Sequence, residues 1–316
     1  MTRSKIFKLL SAGSAGLIVL LAAGWLQNVH PAFDSLSHFR LHFSAALFCL
    51  LPILIMLRYW ILGGAGIIAI ALSLFLTAPY LPNFATMSSQ ASGSGQQPII
   101  RLVQMNLRFN NKTPQRAADA IRLGNPDILL LQEVTEKTVV VLDAFLPTHP
   151  HQLACHRFGV GSVAIASRFP FADQESKYCA PTFGFASAQL RMGEQVLHVA
   201  SFHSLWPWPF RQARQINYLS EHFKALRHPL VLAGDFNASP WSAAVQSVAE
   251  KSRTRVAKGM LMSWAPRQLA VKEWLGPILP IDQVMTSPRF KILSRTRLGD
   301  GGSDHFPILT QLQLSP

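Results

Sequence analysis

The segment PLVLAGDFN, residues 229–237, decides the fold: a run of Leu, Val and Ala breaks off at Gly234-Asp235-Phe236-Asn237. A short apolar run bounded by turn-forming residues reads as a buried strand, here Pro229 to Gly234, with polar groups at its end. The same event recurs along the chain. Gln104-Met105-Asn106-Leu107, Leu131-Gln132-Glu133-Val134 and Ser201-Phe202-His203-Ser204 precede it. Ile281-Asp282-Gln283-Val284 and Gly302-Ser303-Asp304-His305-Phe306-Pro307 follow it. Strand ends on one edge of a sheet face a common crevice, so residues distant in sequence can build one site. Singly, a carboxylate or Asn after a strand is a turn-former and a lone His is structural or solvated. The repetition over six motifs carries the inference.

Between the motifs, short Leu-rich or β-branched runs alternate with helical segments, the pattern of a mixed α/β domain. Ile99 to Asn106 is the first expected strand and Asp127 to Glu133 the second. Thr113 can cap a helix that has Pro114 at its first position and runs to about Leu123. A helix near Glu136 to Phe145 comes next. Gly161 to Ser167, Phe183 to Arg191 and Val196 to His203 read as an antiparallel meander, and Arg211 to Leu226 as an amphipathic helix. Strands at Ile281 to Thr286, Phe290 to Arg297 and Pro307 to Leu314 complete the domain. There is no internal repeat, glycine-rich phosphate loop or CxxC metal motif.

Outward from this domain the composition changes. Of 316 residues only 14% are charged, and 49% are hydrophobic. Before residue 101 the charged residues are Arg3, Lys5, Lys8, Asp34, Arg40 and Arg58; the rest of the chain holds 24 basic and 15 acidic side chains, a net +9. Disorder, collagen, a small disulfide scaffold and a wholly soluble enzyme are all excluded. Leu9–Leu26, Leu41–Leu57 and Tyr59–Leu81 are long enough, or nearly so, to cross a bilayer core. The first could be a secretory signal peptide, but no small-x-small cleavage site follows it, so it reads as a retained anchor. The expected organisation is a membrane domain over 1–81 with three transmembrane helices, a flexible linker over 82–98 and a catalytic domain over 99–316. By the flexible-chain relation, a linker of about 17 residues reaches roughly 20 to 25 Å.

Arg3, Lys5 and Lys8 before the first helix and Arg58 in the second turn put the N-terminus in the cytoplasm by the positive-inside rule. Three crossings then leave everything after Leu81 periplasmic or extracellular, on a protein of the inner (plasma) membrane. Cys49 lies within the second apolar run. Cys155 and Cys179 are the two cysteines of the soluble part, an even number on an oxidising side, and are expected to form a disulfide, with two buried free thiols as the alternative.

Taken together, the six motifs resemble the endonuclease/exonuclease/phosphatase superfamily. These metal-dependent phosphoesterases include DNase I-like nucleases, neutral sphingomyelinases and inositol-polyphosphate phosphatases. The resemblance covers residues 99 to 314 or so; Gly234-Asp235-Phe236-Asn237 and Ser303-Asp304-His305 are its most specific parts. It implies a four-layered α/β sandwich, two packed mixed sheets flanked by helices. Phosphoester cleavage calls for a cation, an activated water, donors for the non-bridging oxygens and a proton for the leaving group. Glu133 is the natural hard-oxygen ligand, with Asp304 a second candidate, and such a site suits Mg²⁺ or Mn²⁺ better than Zn²⁺. Asn106 and Asn237 can touch metal or phosphate without adding charge. Asp235 would orient or deprotonate water. His305, paired to Asp282, resembles the family's catalytic imidazole, and His203 would donate to the phosphate or the leaving oxygen.

The family's abasic-site endonucleases generally lack a His at the position matched by His203, so its presence favours the DNase, sphingomyelinase and phosphatase side. Gln283 departs from the His or aromatic residue often found after the matched Asp. Lys251, Arg253, Arg255 and Lys258 could follow a nucleic-acid backbone, meet anionic headgroups or form a solvated loop. Trp206, Trp208 and Phe210 could form an apolar lip that meets lipid or a helix start packed on the core. The irregular spacing of His149, His151 and His156 reads as loop histidines. The leading expectation is an anchored enzyme with the bilayer as partner and a lipid or lipid-linked phosphate as substrate. An extracytoplasmic nuclease acting on nucleic acid and a catalytically inactive membrane-bound binding module are the alternatives. No protein partner is implied.

Overall fold

The computed structural model describes residues 3–81, 98–155, 162–266 and 276–315. The part after residue 98 is organised by central strands whose two faces are both covered, which is why they read as nearly unbroken apolar runs. In β1 (Ile99–Asn106), Ile100 and Leu102 point to one side, and Val103 and Met105 belong to a cluster on the other. In β2 (Ile128–Val134), Ile128 and Leu130 alternate in the same way with Leu129 and Leu131. The outer cluster is closed by α5 (Pro114–Arg122) and α6 (Val139–Asp143), through Ala117, Ile121, Val141 and Leu142.

The first sheet runs β11-β12-β1-β2-β4-β3, with β3 His151–Cys155, β4 Ser162–Ser167, β11 Phe290–Arg297 and β12 Ile308–Leu314. The second runs β5-β6-β7-β8-β10-β9, with β5 Tyr178–Ala180, β6 Phe185–Met192, β7 Gln195–His203, β8 Leu230–Asp235, β9 Arg255–Val256 and β10 Asp282–Thr286. Each sheet has a parallel pair at its centre, β1 with β2 and β7 with β8, and antiparallel strands elsewhere. Ile100, Leu102, Leu130 and Ile165 of the first sheet meet Ala188, Val199, Val231, Ala233 and Val284 of the second. Leu230 and Leu232 face away, toward α7 (Gln212–Tyr218), α8 (Ser220–Ala225) and α9 (Ala243–Lys251). The fold is therefore a four-layered α/β sandwich of two packed mixed sheets between helices.

Several elements differ from expectation. The three runs read as one meander are divided: β4 joins the first sheet beside β2, and β6 and β7 pair in the second. Nothing in local periodicity encodes that choice, which the inter-sheet core makes. The helix expected over Arg211 to Leu226 breaks at buried Leu219 into α7 and α8. Thr113 stands at the N-cap of α5, yet its side chain makes no capping bond there. Cys155 and Cys179 are joined, clasping the edge of one sheet to the edge of the other.

The N-terminal helices are α1 (Arg3–Trp25), α2 (Pro31–Ser37), α3 (Arg40–Met56) and α4 (Trp60–Thr77). They pack through Leu21, Leu47 and Ala69, and the Trp25 indole donates to Ser73 Oγ at 3.2 Å. Among the described residues, two helices are long and apolar enough to cross a membrane, Lys5–Trp25 and Trp60–Tyr80. The middle run differs from the expected simple span: α3 has 17 residues and reaches crossing length only with α2, from which it is bent by 58°. The expected linker falls almost wholly on 82–97, outside the described residues.

His198, buried in β7, accepts from the Arg227 amide at Nδ1 (2.9 Å) and so holds the turn that enters β8. Burial, helped by the nearby Arg227 and His228 charges, lowers its pKa from 6.5 to about 4. Stability from the neutral ring is present above pH 6.5 and is lost as the pH falls from there toward about 4. The loss is on the order of 3 kcal/mol at one pKa unit per 1.36 kcal/mol. His198→Asn keeps an acceptor but cannot titrate, so urea midpoints of the full-length protein should fall less steeply between pH 7 and pH 4 in the variant. Equal slopes would refute this role.

Candidate active site

Register brings the six motifs to one edge. Asn106 and Glu133 lie at the C-terminal ends of β1 and β2, and His203 and Asp235 at those of β7 and β8. β10 runs antiparallel to β8 with Asp282 paired to Asp235, so its first residue reaches the same edge. β12 runs antiparallel to β1 with Gln104 opposite Ile308, which places Asp304 and His305 beside Asn106.

Asp235 is the hub, 1% exposed. Its Oδ2 accepts from Asn106 Nδ2 at 2.9 Å and lies 3.5 Å from His305 Nε2 and 3.7 Å from His203 Nε2. Its Oδ1 accepts from the Asn237 amide at 2.8 Å. Burial raises the Asp235 pKa against the opposing pull of His305. His305 turns its other nitrogen to Asp282 Oδ2 at 2.9 Å, and the same oxygen accepts from Ser263 Oγ at 2.6 Å. Burial alone would lower the His305 pKa, but the Asp282 and Asp235 charges outweigh it and push it up to about 10. This pairing stabilises the fold fully below pH 6.5 and is lost as the pH rises through about 10.

Glu133 forms the other side. Its Oε1 accepts from Asn106 Nδ2 at 3.1 Å and lies 3.7 Å from His203 Nε2, and its Oε2 accepts from the Phe109 amide at 2.6 Å. Burial raises its pKa, and the Asp304 charge adds to the rise. Asp304 is held by Ser303 Oγ at 3.3 Å, with Arg108 Nε at 4.0 Å. Two carboxylates that repel in a desolvated corner fit a hard divalent cation, so Glu133 and Asp304 are the residues that would hold one. Asn106 Oδ1 accepts from the Arg108 amide at 2.8 Å, which leaves its NH₂ to serve the carboxylates. Asp235, Asp282 and His305 also offer ligand-type atoms within 4.8 Å of one another. There, however, the His305–Asp282 hydrogen bond already uses Nδ1, and the trio is better described as an oriented imidazole.

Local backbone explains the sharp ends of the strands. Arg108, Glu133 and Asn237 have φ of 61°, 57° and 48°, a left-handed conformation that costs non-glycine residues energy and concentrates at functional sites. At Glu133 the pairing of β2 with β4 shifts register after Leu131, which turns the carboxylate into the crevice. Gly234 has φ of 151°, and a Cβ there would sit 2.0 Å from the Phe202 carbonyl oxygen, so only glycine lets β8 lie this close to β7.

All eight expected active-site residues, Asn106, Glu133, His203, Asp235, Asn237, Asp282, Asp304 and His305, gather at this edge. Asn237 Nδ2 is turned to the Ser204 carbonyl at 2.8 Å and so ties two site loops together. Sequence reasoning missed Ser263, which a short bridge between Trp264 and His305 lays against Asp282. It also missed Arg108, although that residue directly follows the Asn106-Leu107 motif. Gln283 now has a role: its NH₂ holds the carbonyls of Ala238 (2.9 Å) and Pro280 (2.6 Å), fixing the loop beyond Asn237. His149 is a buried structural histidine bonded to Thr148 and the Pro126 carbonyl, and His156 lies outside the described residues.

Fold and site together fit a hydrolase of phosphoester bonds, and the family match identifies one. The profile of the endonuclease/exonuclease/phosphatase family matches residues 103–305, and the chain belongs to that family. No curated protein sequence matches it. Among solved structures it is similar to an endonuclease/exonuclease/phosphatase from Bacteroides vulgatus, with 16% identity, TM-score 0.57, and 69% of this chain and 100% of that one covered. Humanized D. rerio TDP2 gives 18% identity, TM-score 0.51 and coverage of 68% and 98%. A Staphylococcus aureus beta toxin variant with bound magnesium ions gives 14% identity, TM-score 0.50 and coverage of 69% and 100%.

Asp282→Asn keeps the shape and the Ser263 contact but removes a charge facing His305. By NMR titration, the imidazole pKa should drop from about 10 to the ordinary histidine range or below. An unchanged value would mean that Asp235 and Asp304 hold the proton without Asp282.

Proposed function

We propose that this protein is a membrane-anchored, Mg²⁺-dependent phosphoesterase of the extracytoplasmic side, with Mn²⁺ able to substitute, acting on a lipid or lipid-linked phosphate. One observation carries the reading: a phosphoesterase site lies on the same chain as helices long and apolar enough to cross a membrane, two of them or three if α2 and α3 form one span. The positive-inside distribution of Arg3, Lys5, Lys8 and Arg58 supports the orientation. A Cys155–Cys179 bridge is in keeping with an oxidising compartment.

A bound divalent ion would neutralise phosphate charge and lower the pKa of a coordinated water. The remaining steps belong to this chain. Asp235 orients the attacking water and takes its proton, helped by burial that raises its basicity. His305, held in one orientation by Asp282, presents Nε2 to a non-bridging phosphate oxygen, and Asn237 ties the loop after β8 to the Ser204 carbonyl after β7. His203, between Glu133 and Asp235, donates toward the leaving oxygen.

The net +9 of the chain after residue 100 favours a second reading, an extracytoplasmic nuclease. Full-length protein should be assayed against phospholipid vesicles, polyprenyl pyrophosphate and plasmid DNA. The expected result is lipid turnover abolished by EDTA, restored by Mg²⁺ or Mn²⁺, and reduced by roughly 100-fold or more in Glu133→Gln and His305→Ala. Plasmid cleavage without lipid turnover would establish the nuclease. No metal-dependent hydrolysis of any phosphoester would leave a binding module.

A further inference from the structure

Asp34 is the single carboxylate among the first 100 residues, and it is 6% exposed. It lies in α2, the short helix joining α1 to α3, yet its strongest contacts are with the catalytic unit. Its Oδ1 accepts from the Ala243 amide at 2.8 Å and its Oδ2 from the Ala244 amide at 3.1 Å. These amides open α9 and have no partner within that helix. Ser242 Oγ serves the next one, Val245, at 3.2 Å, so the helix end is satisfied half by its own cap and half by the N-terminal segment. The carboxylate also meets the positive end of the helix dipole.

Around this contact lie others of the same kind. The Trp241 indole donates to the Ser37 carbonyl at 2.7 Å, and the Trp241 carbonyl accepts from Gln27 Nε2 at 2.6 Å. Ser239 Oγ donates to the His38 carbonyl at 3.3 Å, and Ser35 Oγ to the Trp208 carbonyl at 3.2 Å. The Met260 amide donates to the Tyr80 carbonyl at 2.7 Å. Trp208 lies on the loop leaving His203; Ser239, Trp241 and the start of α9 follow Asp235 and Asn237; Met260 leads to Ser263. The face of the catalytic unit seated on the helices is thus the face carrying the crevice. On it Trp206, Trp208 and Phe210 stand 62%, 52% and 62% exposed, aromatic groups of the kind that settle at a bilayer interface.

Resting on the anchored, lipid-directed reading above, we propose that Asp34 is a positioning residue: it locks the catalytic unit crevice-down on the outer end of the helical bundle, so that phosphate is taken from a lipid in the bilayer and not from bulk solution. Full-length wild type, Asp34→Ala and Asp34→Asn should be reconstituted in phosphatidylcholine–phosphatidylglycerol vesicles holding polyprenyl pyrophosphate. Each is assayed on the vesicle lipids and on soluble bis(p-nitrophenyl) phosphate, and amide exchange is followed over residues 242–247.

In Asp34→Ala the Ala243 and Ala244 amides should exchange roughly tenfold faster or more, because their acceptors are gone. Lipid turnover should fall by about tenfold or more through misorientation, while kcat/KM for the soluble diester stays within about twofold. Asp34→Asn, which retains one acceptor oxygen, should lie between. Equal losses on both substrates would reduce Asp34 to a folding contact, and unchanged exchange with unchanged lipid turnover would refute the lock. If wild type hydrolyses the soluble diester but no lipid, the lipid reading itself fails and this proposal with it.

Discussion

The molecule depends on how one carboxylate is buried. Asp235 sits at the closed end of the crevice with almost no access to water, and an isolated ion there would cost several kcal/mol or be neutralised. It is tolerated because hydrogen-bond donors and ion-pair partners arrive from both sheets. Asn106 comes from β1, the Asn237 amide from the turn after β8, and two imidazoles from β7 and the approach to β12. None of these is local to Asp235 except the Asn237 amide. The two sheets must therefore stack in one register before the charge is satisfied, and the inter-sheet core of Leu102, Leu130, Val199 and Val231 sets that register.

The same arrangement explains why so much of the site is legible in sequence. A strand covered on both faces has little reason to carry Asp or Glu except at its end, so PLVLAGDFN and its five counterparts stand out against apolar surroundings. Sheet partnership is not legible in the same way. Ser162–Ser167 and Phe185–Met192 are both short and apolar, and only the tertiary core assigns them to different sheets. Tyr178–Ala180 and Arg255–Val256 are too short to show alternation. Ser263 escapes because it lies in no strand; its one distinction is a bond to Asp282, which is a fact of space.

Preorganisation has a visible cost in this crevice. Arg108, Glu133 and Asn237 hold left-handed backbones, and each conformation aims a group: the Arg108 amide at Asn106, the Glu133 carboxylate at Asn106 and the Phe109 amide, the Asn237 amide at Asp235. Strain of order 1–3 kcal/mol per residue persists only where the surroundings over-determine it. Here they do, because each group also makes a bond that would be lost by relaxing. A rigid polar cradle of this kind spares the reorganisation that water would need as charge develops on a phosphoryl group.

The N-terminal segment extends this logic from side chains to whole units. A covalent connection alone does not fix which way one unit faces another. The contacts at α2 remove that freedom, and their chemistry says how strictly. They engage backbone groups of Ser37, His38, Trp208, Trp241, Ala243 and Ala244, and several of these residues are buried. An apolar interface could slide by an ångström at little cost, since burial is nearly indifferent to direction. Here a similar slide would strand buried amides and carbonyls, each costing about 1–3 kcal/mol. Orientation is thus held by the same rule that holds Asp235, that a buried polar group keeps its partner.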